Sequence, residues 1–423
     1  MAELKNQRAP TAPYFTPTTS PPAGTALSAN PPTLFRSLSI RGVTFQNRIW
    51  VAPMCQYSAD NGHLTDYHLV HLGAFAFRGA SLTIIEATAV RPEGRISPED
   101  AGLWQDSQVA PMQKIADFVH AQGQKLGIQL AHAGRKASTV APWLVPKRGT
   151  SVVAGEDVNG WPNNVMGPSA IRWGEGYAQP KEMTKADIQD VVDGFRDAAR
   201  RSVEAGIDVI ELHGAHGYLL CSFLSPLSNT RTDEYCGSFE NRTRLPIEVI
   251  KAVREVIPAN TPLLYRISAT EWMEDQSNHT WTVRDTITFA KLLPGLGVDL
   301  LDVSSGGNHH AQKIQMHNDF QVGIAGQIRS SLRSARVPLL LGAVGMITDA
   351  EQARDIVEVS AQEEAEQVRD VVGGREPKAD VVLVARQFMR ESEWVLRVAW
   401  RLGVEVQWPV QYGRGRFLRG SKI

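Results

Sequence analysis

The chain has 423 residues, 43% of them hydrophobic, so it can bury a sizeable core in one large domain or two medium ones. Its formal net charge is −1 and Lys and Arg form no run, which argues against nucleic acid or an anionic membrane as a partner. Three scattered cysteines cannot form a disulfide framework, and no apolar stretch approaches the roughly 18 residues of a membrane-spanning helix, so we expect a cytoplasmic protein.

The first 32 residues are rich in Pro, Thr, Ala and Ser. They contain neither the apolar core of a signal peptide nor the arginines of a transit peptide. Because this composition offers little apolar surface to bury, we predict a flexible or loosely attached tail over residues 1–32 and a single folded domain over residues 33–423.

Eight short, nearly continuous apolar runs follow, as is typical of parallel strands covered on both faces. Amphipathic helical patterns separate several of them, and the clearest has Thr184 as a candidate N-cap and Gly206 as a candidate C-terminal stop. This alternation predicts an α/β fold, a (β/α)₈ TIM barrel. A doubly wound sheet is the alternative, but the first run lacks the Gly-rich turn of such sheets. The runs are residues 48–55, 82–90, 126–134, 208–216, 262–268, 299–307, 338–345 and 380–388.

Two connections are longer than a plain barrel needs. The segment of residues 137–183 contains several Trp and Pro and is longer than an ordinary βα loop. Its length predicts a lid or a hairpin over the barrel mouth. Residues 359–377 are highly charged, and we interpret them as a solvated surface extension of the seventh helix.

Polar and reactive side chains collect where the predicted strands end. The active sites of such barrels lie at the C-terminal ends of the strands. A single polar group in an apolar strand is ordinary, whereas many at one end of successive strands indicate a site. These residues are Cys55, Gln129, His132, His213, His216, Arg266, Ser304, Ser305 and Arg386.

The motifs that contain these residues resemble those of the old yellow enzyme family. The stretch IELHGAHGYLLCSFLSPLSNTRTDEYCGS, residues 210–238, is the most specific match. The stretches PMCQYS, GIQLAHAGRKAS, GAVGMIT and PVQYGRGRF stand in the family's order, and the cysteine of PMCQYS is similar to that of the thermophilic-like branch. The resemblance implies a flavoprotein oxidoreductase, an FMN-dependent ene-reductase that uses NADPH.

The resemblance also assigns residues to the cofactor. Four residues after the first strand would lie along the flavin ring, where Cys55 would tune the reduction potential; an ordinary small core residue is the alternative for this cysteine. Gln129 and Arg266 would meet the pyrimidine edge of the ring, where a guanidinium stabilises negative charge, and a buried salt bridge is the alternative for Arg266. The assigned residues are Ala52, Pro53, Met54, Cys55 and Ala87 at the ring, and Gly345, Met346, Ala385 and Arg386 at the phosphate.

The same resemblance assigns the two histidines and the tyrosine of HGAHGY to the substrate. His213 and His216 would donate hydrogen bonds to the carbonyl oxygen of an unsaturated substrate and stabilise the enolate that hydride attack forms. Tyr218 would protonate the α-carbon. Tyr57 and Lys136 would contact the substrate at the mouth.

The resemblance further implies the partners. NADPH would be the hydride donor and an activated alkene the acceptor, and both would use the open face because the chain has no Rossmann motif. A homodimer or a dimer of dimers is expected, in which Arg414 of the C-terminal tail, residues 409–423, completes the neighbouring subunit's site. A disordered tail is the alternative.

Two other functions remain open at this point. A metal-dependent hydrolase could use His213, His216, His309 and His310, but an HxxH pair at a strand end is weak evidence and leaves the arginines unexplained. The second alternative function is that of a non-catalytic flavin-binding protein. We predict no metal site.

Overall fold

The computed structural model describes residues 5–10, 12–145, 151–277, 279–358 and 377–417. A short antiparallel pair, β1 and β2, precedes a closed barrel of eight parallel strands. Around the barrel the strands follow one another in chain order, and the last pairs with the first, which confirms the predicted (β/α)₈ fold. The strands are β1 (Leu38–Ile40), β2 (Val43–Phe45), β3 (Ile49–Val51), β4 (Leu82–Ala89), β5 (Lys125–Ala131), β8 (Val209–Gly214), β9 (Leu263–Ser268), β10 (Leu300–Ser304), β11 (Leu340–Val344) and β12 (Val381–Val384), with β6 (Met166–Gly167) and β7 (Lys181–Glu182) outside the barrel.

The longer helices surround the barrel and bury one face each, whereas all six residues of the short helix Leu219–Leu224 are buried. The longest, α3, starts at the predicted cap: the Thr184 hydroxyl accepts a hydrogen bond from the Asp187 N–H, and Gly206 follows its end with φ +81°. The helices are α1 (Asp66–Ala76), α2 (Val109–Ala121), α3 (Lys185–Glu204), α4 (Leu219–Leu224), α5 (Phe239–Val256), α6 (Val283–Ala290), α7 (Val322–Ser334), α8 (Ala350–Val357), α9 (Arg386–Arg390) and α10 (Trp394–Arg401). None of these described helices is long and apolar enough to cross a membrane.

Two apolar cores hold the barrel together. One lies between the strands and the helices. The other fills the barrel interior and includes Phe45 of β2, whose ring lies 4.7 Å from that of Trp50. Leu82 and Leu300, the first residues of their strands, belong to this interior core, so the β1–β2 pair closes the N-terminal end of the barrel. The C-terminal end is left for the polar side chains.

The N-terminal segment, predicted to be a flexible or loosely attached tail over residues 1–32, contacts the folded chain at several of its described residues. Gly24 donates a backbone hydrogen bond to Gln407, and Gln407 donates one to Thr25. Ala9 and Ala12 are buried against Ala121 of α2. A segment poor in large apolar residues is therefore held here by backbone pairing and by small side chains that fit against a helix, which composition does not reveal.

The long insertion of residues 137–183 contains short 3₁₀ turns and the β6–β7 pair, which is parallel and so is not a hairpin. The Trp161 indole N–H donates to the Glu93 carbonyl, and the Trp173 indole N–H donates to the Gly307 carbonyl. Both acceptors lie in loops that follow barrel strands, so these two tryptophans attach the insertion to the C-terminal end of the barrel. Residues 359–376, which include nearly all of the predicted surface extension, lie outside the described residues.

Candidate active site

The two histidines of HGAHGY lie together at the C-terminal end of β8. His213 is in the strand and only 3% exposed, and its ring centre is 5.2 Å from that of His216. His216 has φ +60°, a left-handed conformation that turns the chain back over the strand end. The Ser268 hydroxyl of β9 holds this turn by accepting the His216 backbone N–H at 2.8 Å. The neighbouring strand thus fixes the geometry of the pair.

Both histidines are neutral at neutral pH. Burial lowers the pKa of His213 and of His216 well below the ordinary value, and the positive charges of Arg266 and Lys136 add to the effect. His213 Nδ1 accepts the Ala215 N–H at 3.3 Å, which leaves its proton on Nε2. His216 Nε2 lies 2.7 Å from the Ser304 hydroxyl, which leaves Nδ1 for another partner. Each ring therefore keeps one edge available for a ligand.

Tyr218 lies beside the histidines, immediately before α4. Its ring centre is 5.0 Å from that of His213, with the rings nearly perpendicular. Burial raises the pKa of Tyr218 well above its ordinary value, with Cys55 and Tyr57 as further contributors. The phenol consequently keeps its proton throughout the physiological range, as a proton donor must.

Lys136 lies at the same end of the barrel as the histidines, and its ammonium group donates hydrogen bonds to two backbone carbonyls. Its ammonium donates to the His216 carbonyl at 2.8 Å and to the Gly307 carbonyl at 3.2 Å. It lies 4.8 Å from the ring centre of Trp173 and 5.0 Å from that of Tyr218. Burial lowers the pKa of Lys136 to about 8. These contacts indicate that Lys136 fixes two loops against each other, and the substrate contact suggested by the sequence stays a prediction.

The two loops that Lys136 joins come unusually close. Gly217 has φ +72°, and a Cβ atom there would lie 2.4 Å from the Gly307 carbonyl oxygen. Only glycine allows this approach. The backbone that carries His216 is consequently locked to the loop after β10.

The loop after β3 contains the predicted ring-contacting residues. Ala52 is buried and donates its N–H to the Val384 carbonyl at 3.0 Å, while Pro53, Met54 and Cys55 are partly exposed. Burial raises the pKa of the Cys55 thiol well above its ordinary value, with Asp100 and Glu86 adding to the shift, so the group is a neutral thiol. A neutral thiol is consistent with the predicted role of Cys55 in tuning the flavin's reduction potential, whereas a nucleophile would need to be a thiolate.

Tyr57 and Ala87 flank this loop. Tyr57 has φ +52°, and its ring stands edge-on to Trp143 of the insertion at 5.3 Å. Ala87 is 6% exposed and follows an irregularity in the pairing of β4 with β5. Such an irregularity changes the direction of a strand and of the side chains that follow it.

Four buried polar side chains lie in the barrel interior below the histidines. Gln129 of β5 donates its side-chain N–H to Glu211 of β8 at 2.8 Å. Arg266 of β9 approaches Asp302 of β10, with Nε 3.0 Å from Oδ2. Gln129 and Arg266 were predicted from the sequence, and the salt bridge named there as the alternative for Arg266 is present. Glu211 and Asp302 were not predicted.

A cavity of about 310 Å³ opens next to Arg266 between the loops after β11 and β12. It is lined by three arginines, Arg266, Arg386 and Arg390, and by no carboxylate. Within the described residues, Arg386 and Arg390 have no hydrogen-bond or ion-pair partner. A positively charged cavity beside strand ends fits a phosphate group. The predicted residues Gly345, Met346, Ala385 and Arg386 all line it.

Arg414 is the predicted residue that the single chain does not bring to the mouth. It lies in an exposed 3₁₀ turn, Val410–Gly415. Tyr412 of the same turn packs edge-on against Phe77 at 5.4 Å, which anchors the segment on the outside of the barrel.

The arrangement also bears on the alternative of a metal hydrolase. No group of three or more His, Cys, Asp or Glu side chains among the described residues is placed to hold a metal ion. His309 and His310 stack on each other, and His310 contacts the Trp173 carbonyl of the insertion. His309 and His310 therefore have structural neighbours in the described part of the chain.

Sequence reasoning missed Glu211, Asp302, Trp173 and Arg390. The sequence does contain a pattern that could have identified Glu211 and Asp302. Each is a lone acidic residue in a largely apolar strand, VIELHG or LLDVS. Such a residue needs a buried partner. Trp173 and Arg390 had no comparable signal, because only the folded chain brings them to the mouth and to the cavity.

Comparison with known proteins gives consistent matches. A family model described as the NADH:flavin oxidoreductase / NADH oxidase family matches residues 33–403. An NADH:flavin oxidoreductase of Gibberella zeae is 45% identical, over 99% of this chain and 98% of its own length. An NADPH dehydrogenase of a Geobacillus species is 43% identical, over 90% of this chain and 98% of its own length. Morphinone reductase has the same fold, with a TM-score of 0.65 at 24% identity over 90% of this chain and 92% of that one.

Proposed function

The chain belongs to the NADH:flavin oxidoreductase / NADH oxidase family, the old yellow enzyme family that its motifs resemble, and we propose that it reduces activated alkenes. It is thus an NADPH-dependent flavin oxidoreductase, for which we propose FMN as the cofactor and α,β-unsaturated carbonyl compounds as the acceptors. The observation that carries this proposal is the group of His213, His216 and Tyr218: two neutral imidazoles whose ring centres lie 5.2 Å apart, and a protonated phenol whose ring centre lies 5.0 Å from that of His213.

The residues present fit FMN. The cavity of about 310 Å³ with its three arginines suits the phosphate, and the partly exposed segment after β3 suits the edge of a flat ring. Arg386, Ala385, Gly345 and Met346 would hold the phosphate end, while Gln129 and Arg266 would hold the pyrimidine edge. When bound, FMN carries hydride from NADPH to the β-carbon of the acceptor.

His213 and His216 bind the acceptor's carbonyl oxygen in this proposal. Because both rings are neutral and each keeps one nitrogen edge available, they can donate two hydrogen bonds to an oxygen that becomes negative as the reaction proceeds. The donors are fixed before the substrate arrives, since Ser268, Ser304 and Lys136 hold the loop that carries them. Preorganised donors need no rearrangement when charge develops.

Tyr218 supplies the proton. Its raised pKa keeps the phenol protonated, and a carbonyl bound by His213 would have its neighbouring carbon within reach of a phenol that packs against the His213 ring. Lys136 acts on both groups indirectly, through the His216 carbonyl and through the face of the Tyr218 ring. We therefore propose Lys136 as a positioning residue of this site.

An acceptor screen tests the proposal. The purified protein, loaded with FMN, is supplied with NADPH under nitrogen and with cyclohexenone, maleimide, an unsaturated aldehyde and, as a matched control, the saturated ketone cyclohexanone. We expect NADPH oxidation and a saturated product with the three alkenes and none with cyclohexanone. A protein that binds FMN but reduces none of the alkenes would be a flavin oxidoreductase of another kind or a binding protein.

Replacement of Arg386 by Ala should weaken FMN binding by roughly 10–100-fold, because a hydrogen bond to a charged group contributes about 1.5–3 kcal/mol. No carboxylate of the described residues lines the cavity, so no acidic side chain there competes with the phosphate for the Arg386 guanidinium. Titration of the apoprotein with FMN, followed by quenching of flavin fluorescence, measures the affinity. Arg390→Ala is the comparison variant, because Arg390 lines the same cavity. We expect a smaller loss there; a larger loss in Arg390→Ala than in Arg386→Ala would contradict the assignment of the phosphate to Arg386.

Arg414 belongs to the part of the proposal that concerns assembly. We propose a homodimer or a dimer of dimers in which Arg414 enters the neighbouring subunit's site. Light scattering of the eluted protein should then give at least a dimer. Arg414→Ala subunits mixed with subunits that lack His213 and His216 should regain activity in hybrids. A strict monomer at micromolar concentration, or hybrids with no gain, would contradict this assignment.

A further inference from the structure

The interior of the barrel contains more acidic groups than positive ones to balance them. Among the described residues, Arg266 is the positive charge that acts on Glu211 there, and Asp302 is the other carboxyl. All three are buried: Glu211 and Asp302 have no exposed area and Arg266 is 7% exposed. They come from β8, β9 and β10, with Asp302 level with Arg266 in the sheet.

The hydrogen bonds of this cluster are incomplete. Glu211 Oε1 accepts the Gln129 amide at 2.8 Å, but Oε2 is buried without a partner among the described residues. Both Asp302 oxygens and Arg266 Nε are also buried without an aligned hydrogen bond within that part of the chain, although Nε lies 3.0 Å from Oδ2. An ionised carboxylate needs donors around both oxygens, and this cluster does not supply enough of them.

The balance of charge decides which carboxyl is ionised. Two carboxylates and one guanidinium would leave one uncompensated negative charge in a medium that stabilises charge poorly. Arg266 is directly paired with Asp302, so Asp302 has the better reason to be ionised. Burial and the charge of Asp302 raise the pKa of Glu211 to about 8, against the opposing effect of Arg266.

We propose that Glu211 and Asp302 form a carboxyl pair that holds one proton, on Glu211, and that this proton keeps the environment of Gln129 and Arg266 free of net charge. Glu211 is then a positioning residue. Its Oε1 orients the Gln129 amide, which leaves the amide oxygen and the second N–H for a ligand, and its proton lets Asp302 alone balance Arg266. In the sheet Glu211 is level with Gln129 and Asp302 is level with Arg266, so the ionisation of the two carboxyls acts directly on the charge at the pyrimidine edge to which Gln129 and Arg266 are assigned.

The first test observes the proton directly and requires neither turnover nor the proposed alkene chemistry. The holoprotein is labelled with glutamate carrying ¹³C in the side-chain carboxyl, and infrared spectra are recorded against pH. We expect a label-sensitive band of a protonated carboxylic acid at neutral pH that disappears on titration with a midpoint near pH 8. The band should be absent in Glu211→Gln and retained in Glu271→Gln, which removes a buried carboxylate whose oxygens accept bonds from Thr280, Trp281 and Asn308.

No labelled band of a protonated acid in the wild-type protein at neutral pH would overturn the proposal, and this measurement does not depend on whether a variant folds. A band that persists in Glu211→Gln would assign the proton to another glutamate and would overturn it equally.

The second test uses the flavin as a reporter and rests on the proposed FMN site. Glu211→Gln keeps the shape of the neutral acid and an oxygen for the Gln129 amide. Its midpoint potential should equal that of the wild type at mildly acidic pH and lie above it at alkaline pH, where the wild type gains a negative charge that disfavours the reduced flavin. A potential raised by the same amount at every pH would show that Glu211 is always ionised. Failure of alkene reduction would leave both tests intact.

Discussion

Replacement of Tyr218 by Phe should slow reduction of cyclohexenone by about 10²–10⁴-fold, the loss expected when a general acid is removed. Phe keeps the ring that packs against His213 and beneath the Lys136 ammonium, so the packing of the site is preserved. It removes the one phenol whose proton is held beside the histidines by a raised pKa. The loss therefore reports proton transfer and not a collapse of the mouth.

Rapid mixing separates the two steps of the reaction. Oxidation of NADPH by the enzyme needs no proton from Tyr218 and should be unchanged, whereas oxidation of the reduced enzyme by cyclohexenone should slow. Tyr235→Phe is the matched control, because that phenol contacts Glu248 outside the site. Acceptors with a very stable enolate would hide the effect, since water can protonate them. Equal slowing of both steps would assign Tyr218 a different role.

Replacement of His213 by Ala should lower the rate of alkene reduction by about 10²–10³-fold, the range observed when one donor to a developing oxyanion is lost. His213 keeps its proton on Nε2 because Nδ1 accepts the Ala215 N–H, so the ring is a fixed donor. The same variant should weaken the binding of phenols, whose oxygen would occupy the position of the substrate oxygen. Spectral titration with a phenol and single-turnover rates measure the two effects.

A conservative variant distinguishes donation from packing. His213→Gln retains a side-chain N–H at about the reach of Nε2 and should recover part of the rate, whereas His213→Ala should not. FMN content, read from the visible absorbance, should stay the same in both, because the cavity assigned to the phosphate lies between the loops after β11 and β12. An unchanged rate in His213→Ala would contradict the assignment of this histidine to the substrate oxygen.

The sequence by itself determined the architecture and the end of the barrel at which the predicted site residues meet. The eight apolar runs correspond to the eight barrel strands, because burial on both faces requires continuous apolar side chains. Helix α3 begins after Thr184 and ends before Gly206, as predicted. Helix caps depend on only a few neighbouring residues, so the sequence alone reveals them. All parallel strands end at the same edge of the barrel. Polar residues at the ends of successive strands therefore lie close together at that edge.

The tertiary structure decided what depends on distant partners. Lys136 donates to carbonyls about 80 and 170 residues away along the chain, and so holds two loops together, which its neighbours in sequence could not indicate. The N-terminal segment is attached by pairing with residues 405–407, which its own composition could not indicate. The balance among Glu211, Asp302 and Arg266 likewise arises only when three strands meet, because the ionisation of a buried group is set by the charges and donors around it and not by its neighbours in sequence.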